Sequence, residues 1–212
     1  MKTKQWILKE SKLPWLNLDI NIPFKEILLE AKKLKKIFVS HRAEDEVHGY
    51  KHAGWKSICI HGISAHKTNH YTTYGYKSNE QTPYKCTEIA PYCPITVDFF
   101  KNYYPCDKYY RLRFMLLEPE GFIAPHSDTI EHVLSPVNIA LNHPIGCIMK
   151  MVGHGTVPFK EGEAYLLDVG NFHSYYNKSK EDRYHIIVHG HYSNNKKWKK
   201  LIETSYEKNG IK

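Results

Sequence analysis

The 212-residue chain, 42% hydrophobic and 25% charged, has the composition of an ordinary folded protein and the length for one domain with a substantial core. It holds no apolar run near 18 residues, and no apolar stretch follows the charged start Met1–Trp6, so neither a membrane span nor a secretory leader is read and a cytoplasmic protein is expected. The formal charge of +8 raises nucleic acid as a partner, yet the lysines gather at 25–36 and 196–200, which read as solvated helix faces rather than a binding patch.

In chain order, Trp6, Leu8, Leu13, Trp15, Leu16 and Leu18 read as cover for a core edge. Asn21 can cap a helix with Pro23 in its first turn. Phe24, Ile27, Leu28, Ala31, Leu34 and Phe38 then recur at helical spacing between Lys and Glu, the mark of an amphipathic helix packed on something larger. Residues 40–90 are rich in Gly, His, Tyr and Thr, with one short strand-like run at Trp55–His61. From His66 to Pro83 the pattern is a long ordered loop, a kind of segment that often carries function, and the substrate is expected to be read by the 40–90 region as a whole. His66 and His70, four apart, would form a metal pair on a helix, but the Thr, Asn and Gly around them disfavour one.

Pro94–Tyr104 reads as a short helix. After Pro105 the pattern turns to strands, at roughly 109–118, 121–125, 133–141, 145–152, 155–159, 163–168, 172–177 and 184–192. Turn signals such as Pro119-Glu120-Gly121 and Glu161-Gly162 separate them. Strands this short and evenly spaced indicate a sandwich or barrel. Lys196–Lys208 reads as a closing helix. The expected organisation is a single domain, with a helical and loop cover over 1–105, a β core over 106–192 and a C-terminal helix over 193–212.

Cys59, Cys86, Cys93, Cys106 and Cys147 are odd in number and form no Cys-x-x-Cys pair, which argues against a disulfide framework and a structural zinc site. Reduced, mostly buried thiols are expected. The arginines are more informative. Only four of the 30 basic residues are arginine, and three of them, Arg111, Arg113 and Arg183, lie in strand-like segments; Arg42 does not. Rigid bidentate donors placed in a core need an anionic partner. A bound carboxylate would supply one, and so would an acid from elsewhere in the fold.

His126 and Asp128 stand two apart after the Gly121 turn, and residues two apart in a strand share a face. His173 offers a third ligand. Two histidines and a carboxylate make the facial triad of non-haem Fe(II) oxygenases, which leaves positions open for a cosubstrate and O2. Arg183, ten residues further on, would then hold an acidic cosubstrate. The plainer alternative makes His126 and Asp128 a surface pair and His173 a satisfied core histidine. Arg113 either grips a substrate carboxylate or pairs with a buried acid. His185, His189 and His191 share the face of Arg183 and either line the pocket or pack at the far end of the barrel.

Three segments, Arg111–Thr129, Phe159–Asp168 and Asn171–Val188, together resemble the aspartyl/asparaginyl β-hydroxylase family. The ten-residue spacing from His173 to Arg183 and the phrase Asn177-x-Ser179-x-x-x-Arg183 make the resemblance specific; Gly54–Lys56 and Ala90–Pro94 match more loosely. It covers about residues 90–192. The resemblance implies a mainly β fold, a double-stranded β-helix (jelly-roll, cupin-like) barrel with flanking α-helices. It also implies an Fe(II)- and 2-oxoglutarate-dependent dioxygenase, using O2 to hydroxylate an unactivated carbon of an amino acid, free or in a peptide or protein, with release of succinate and CO2. Iron would sit on His126, Asp128 and His173, and the distal carboxylate of 2-oxoglutarate on Arg183. Asp128 is like the bacterial branch, which includes free amino-acid hydroxylases. Two positions depart from the family. Pro136-Val137-Asn138 stands where members often carry Arg-x-His, making Asn138 the candidate cosubstrate contact, and Met115 stands where members can carry serine.

Competing readings remain on the residues alone. A cupin-like metal enzyme without 2-oxoglutarate more often shows His-x-His and would leave Arg183 without a role. A non-catalytic barrel module keeps the shape only. A zinc hydrolase also fits two histidines and a carboxylate, but no general base stands out.

Overall fold

The computed structural model describes residues 12–41, 51–128, 136–192 and 195–210. In chain order the elements are β1 (Trp15–Leu18), α1 (Phe24–Lys33), β2 (Val39–Ser40), β3 (His52–Gly62), β4 (Lys85–Cys86), α2 (Pro94–Asn102), β5 (Lys108–His126), β6 (Val137–Ala140), β7 (Cys147–Met151), β8 (Gly155–Thr156), β9 (Ala164–Leu167), β10 (His173–Asn177), β11 (Arg183–His191) and α3 (Lys196–Asn209). Trp6, Leu8, Arg42 and the first residues of the strand expected at 133–141 lie outside the described residues.

The sheet is organised on β5. Its sequence pattern divides at Pro119-Glu120-Gly121, yet the strand runs unbroken for 19 residues. The turn signal acts within it: Glu120 takes φ 57° and Gly54, facing it from β3, takes φ 65°, so the strand bends. Gly121 is required at the bend, because a Cβ there would stand 2.7 Å from Glu118 O. Before the bend β5 lies between β11 and β3; beyond it β5 pairs with β10. The full antiparallel path is β1-β9-β6-β11-β5-β10-β7-β8, with β3 joining β5 and carrying β2 and β4. The curled sheet is the expected double-stranded β-helix, and β1 and β3, the latter containing the strand-like run Trp55–His61, extend it into the helical and loop cover of 1–105.

Period-2 alternation gives the sheet two different faces. Leu112, Phe114 and Leu116 of β5, with Tyr184, Ile186 and Val188 of β11, pack under the three helices through Ile27, Phe99 and Trp198. Their neighbours Met115 and Leu117 turn instead to the inside of the curl, with Met149, Tyr165, Leu167 and Tyr175. Each fully buried aliphatic or aromatic side chain of this kind contributes about 1.5–3 kcal/mol.

The helices settle the remaining expectations. The cap position of α1 is Pro23, without a side-chain cap, so Asn21 does not cap it. The reason is local: Phe24 N–H already bonds Ile22 O at 2.8 Å, and the helix starts two residues later than Asn21 would need. The apolar periodicity through Phe38 continues past Lys33 as a 3-10 turn, Lys35–Ile37. Buried Glu30 of α1 accepts hydrogen bonds from Ile95 N, Thr96 N and Thr96 Oγ1 at 2.6–3.0 Å, supplying the N-terminal cap that α2 lacks locally. Asn195 caps α3 through Trp198 N. All five cysteines are free, with Cys59, Cys93 and Cys147 buried. No helix among the described residues is long and apolar enough to cross a membrane.

Candidate active site

His126 ends β5 and His173 begins β10, and the two are direct partners across the strands. Their rings stand 4.3 Å apart. Asp128 lies two residues past the strand end, its N–H bonded to Val169 O at 2.9 Å. Its Oδ1 is 4.0 Å from His126 Nε2. The nearest ligand atoms of His126, Asp128 and His173 all fall within 4.8 Å of one another, and this is the one such cluster among the described residues. His126 Nδ1 donates to Ala124 O at 2.8 Å and His173 Nδ1 to Asn171 O at 2.9 Å. A carbonyl oxygen can only accept, so both Nδ1 atoms carry a proton and Nε2 is the nitrogen each ring has left for a metal. Backbone carbonyls that fix ligand tautomers in this way are what a metal site needs. Two neutral imidazoles and one carboxylate fit Fe(II).

The second group centres on Arg183, the first residue of β11 and only 1% exposed. Its guanidinium lies between the rings of Phe159 and Tyr175, at 5.4 and 5.3 Å from their centroids. Nη1 donates to His185 Nδ1 at 3.0 Å. Among the described residues Nε and Nη2 have no hydrogen-bond partner. Burial lowers the pKa of this arginine, the cost of a charge removed from water without an anion beside it. A carboxylate fits that orphaned edge.

Two asparagines fix where Arg183 stands. Asn142 accepts from Tyr184 N at 2.6 Å and donates to Asp182 O at 2.8 Å. Asn177, fully buried, donates to Leu117 O, Glu118 O and Glu181 O and accepts from Ser179 N and Oγ, tying the β5 bend to the turn that leads into Arg183.

Asn138 is 2% exposed on the inner face of β6, where its Oδ1 has no partner. Arg113, on the inner face of β5, donates Nη1 to Thr68 O at 2.8 Å and lies 3.4 Å from His41 Nε2. Arg111 donates to Asn69 O at 3.1 Å. Both arginines thus tie down the 63–84 segment by its main chain, a partner that sequence reasoning did not weigh. His185 joins Arg183, while His191 lies at the exposed strand end, 3.9 Å from Asp107. His66 bonds Ile37 O and His70 bonds Thr72 Oγ1, so these two do not form a pair.

Sequence reasoning missed His143, Phe159 and Tyr175. Burial and the Arg183 cation lower the pKa of His143 to about 4, and its Nδ1 has no partner. Tyr175 carried a signal, two residues after His173 in a strand; His143, in a Pro-containing turn, carried none.

The family model described as aspartyl/asparaginyl beta-hydroxylase matches residues 23–191. No curated protein sequence matches the chain. Among solved structures, the chain is similar to a prolyl hydroxylase from Trichoplax adhaerens, in complex with a hypoxia inducible factor oxygen degradation domain peptide fragment. That match has a TM-score of 0.52 at 14% identity and covers 91% of this chain and 88% of the other. It is also similar to OsALKBH1, with a TM-score of 0.50 at 10% identity, covering 86% and 99% of the two chains. At these identities the likeness is one of fold.

Proposed function

The chain belongs to the aspartyl/asparaginyl β-hydroxylase family, and from that premise we propose that it hydroxylates an unactivated carbon of an amino acid, free or within a peptide. It is a 2-oxoglutarate-dependent dioxygenase. We assign Fe(II) to His126, Asp128 and His173, the distal carboxylate of 2-oxoglutarate to Arg183, and Asn138 to the same cosubstrate. The observation that carries this reading is the two donor nitrogens, Nε and Nη2, that buried Arg183 leaves without a partner among the described residues, in a fold that also gathers a His/Asp/His cluster.

When bound, the iron would activate O2 as the oxidant while 2-oxoglutarate gives two electrons, so that one oxygen atom enters the substrate C–H bond and the other enters succinate, with CO2 released. The protein holds, orients and shields. His126 and His173 keep their Nδ1 protons on backbone carbonyls and so present neutral Nε2 donors. Asp128 adds one negative charge. Arg183, wedged between two rings and spent on one side by His185, offers a single edge and so sets the orientation of the carboxylate it receives. Met115, Met149 and Leu167 give the inner wall apolar surface that keeps water out. The substrate side belongs to the 63–84 segment, and Arg113, which anchors it, brings a positive charge suited to a substrate carboxylate.

The test is anaerobic addition of Fe(II) and then 2-oxoglutarate to the metal-free protein. A visible charge-transfer absorption is expected, weakened in Asp128→Ala and in Arg183→Met. A panel of amino acids and peptides screened for succinate release follows. Iron binding without that absorption would favour a metal enzyme that does not use 2-oxoglutarate, and failure of the folded protein to bind iron would sink the assignment.

A further inference from the structure

We propose that His185 is a second cosubstrate-binding residue, fixing the guanidinium of Arg183 through Nδ1 and presenting Nε2–H to the carboxylate that Arg183 holds. This rests on the assignment of Arg183 to 2-oxoglutarate made above.

His185 is 2% exposed on the inner face of β11, two residues from Arg183 and so on the same side of the strand. A guanidinium only donates, so the 3.0 Å contact makes His185 Nδ1 the acceptor and leaves its proton on Nε2. Burial and the cations of Arg183 and Arg113 hold this histidine well below its ordinary pKa, which keeps it in that neutral form. Its ring lies nearly parallel to Tyr175, 14° between planes, which fixes the direction of Nε2. Among the described residues Nε2–H makes no hydrogen bond, and it is not one of the fully buried polar atoms, so it keeps surface open to a ligand.

Arg183 supplies two more donor nitrogens, Nε and Nη2, which are fully buried and without a partner among the described residues. Residues i and i+2 of one strand therefore bring three donor nitrogens, Nε and Nη2 of Arg183 and Nε2 of His185, to one side of the sheet. A single carboxylate has two oxygens and about four lone-pair sites, enough to accept all three. Because Nη1 is already spent on His185, the guanidinium can meet that carboxylate only along its Nε–Nη2 edge. His185 thus acts twice on one ligand, through the arginine and directly.

The experiment is calorimetric titration of the Fe(II)-loaded protein without oxygen, using 2-oxoglutarate and, beside it, 2-oxobutyrate, which lacks the distal carboxylate. In His185→Leu, 2-oxoglutarate is expected to bind about tenfold to a hundredfold more weakly, as for loss of hydrogen bonds to a charged group. 2-Oxobutyrate should bind as it does to the wild type. His185→Gln, which keeps a donor at similar reach, should stay within about threefold for both ligands. His185→Asn, which keeps only the nearer polar atom, should fall between. Unchanged 2-oxoglutarate affinity in His185→Leu would overturn the proposal, as would equal losses for both ligands, the sign of a merely structural role. Should the leucine variant not fold, the asparagine and glutamine variants decide, and equal affinities for them overturn it. If wild-type protein binds no 2-oxoglutarate at all, it is the assignment of Arg183 that fails, which is a separate outcome.

Discussion

The two faces of β11 are built from alternate residues of one strand and do different work. Tyr184, Ile186 and Val188 sink into the helix-covered core, each at most 1% exposed. Arg183 and His185 are buried almost as deeply on the other face, yet among the described residues Arg183 has two donor nitrogens without a partner and no acidic side chain beside it. Burial on the first face stabilises the fold; burial on the second costs stability and readies a site. The largest expected effect tests the first face. Phe114→Ala removes a side chain with no exposed surface, beside Ile186 in the sheet, and should cost about 3–5 kcal/mol, read as a lowered urea midpoint with an unchanged slope. Near-wild-type stability would mean that the helix-covered face is not where the fold is held.

Arg183→Met should do the opposite in the absence of ligands. Replacing a buried, imperfectly matched charge by an apolar chain of similar length is neutral or stabilising, by up to roughly 1–4 kcal/mol. The thermal midpoint should therefore hold or rise. The same variant should lose the further rise that Fe(II) with 2-oxoglutarate gives the wild type, because a ligand stabilises only the state it binds. A clear fall in stability without ligand would show that Arg183 is satisfied inside the protein and is a structural residue.

Between these lies Asn177, which touches no ligand in this account but makes five side-chain hydrogen bonds, to Leu117, Glu118, Glu181 and Ser179. Asn177→Ala strands several buried carbonyls, so a loss of about 1–3 kcal/mol is expected. Because its knot places the start of β11, affinity for 2-oxoglutarate should fall with it. A stability loss with unaltered affinity would separate the turn from the site.

How far the sequence could be read follows the range of the interactions involved. The alternation along β11 and β5 is local, so the sidedness of Arg183, His185 and Arg113 was legible. So was the grouping of His126, Asp128 and His173, which the pairing of β10 with β5 brings together. The bend in β5 was read as a break, because Pro119-Glu120-Gly121 has the composition of a turn whether the chain reverses or only kinks; Gly54 across the ladder decides, and it lies 67 positions upstream of Gly121. β3 was read short for a similar reason, as Gly54 interrupts its apolar pattern. Asn177 was legible as part of a phrase but not as a knot. The rings on either side of Arg183 come from Phe159 and Tyr175, on segments that meet only when the sheet curls. The attachment of the 63–84 segment through main-chain carbonyls to Arg111 and Arg113 has no signature in residue type.

The smallest expected effect reports on the same arginine through a neighbour. Burial first, and then the Arg183 cation, lower the pKa of His143 from 6.5 to about 4 in the folded state. The unfolded chain takes up that proton near pH 6.5, so between pH 6.5 and 4 it binds more protons than the native protein does. Stability is therefore whole above pH 6.5 and declines as the pH falls through that window; His61 and His185, lowered in the same direction, add to the decline. His143→Gln should make the fall in urea midpoint between pH 7 and pH 5 shallower without changing the value at pH 7 by much. Arg183→Met should flatten it too, because a His143 freed from the cation titrates closer to its unfolded value. An acid limb equally steep in both variants would mean that other groups set it and that the charge of Arg183 is screened from His143. That would contradict the water-poor interior on which the cosubstrate assignment depends.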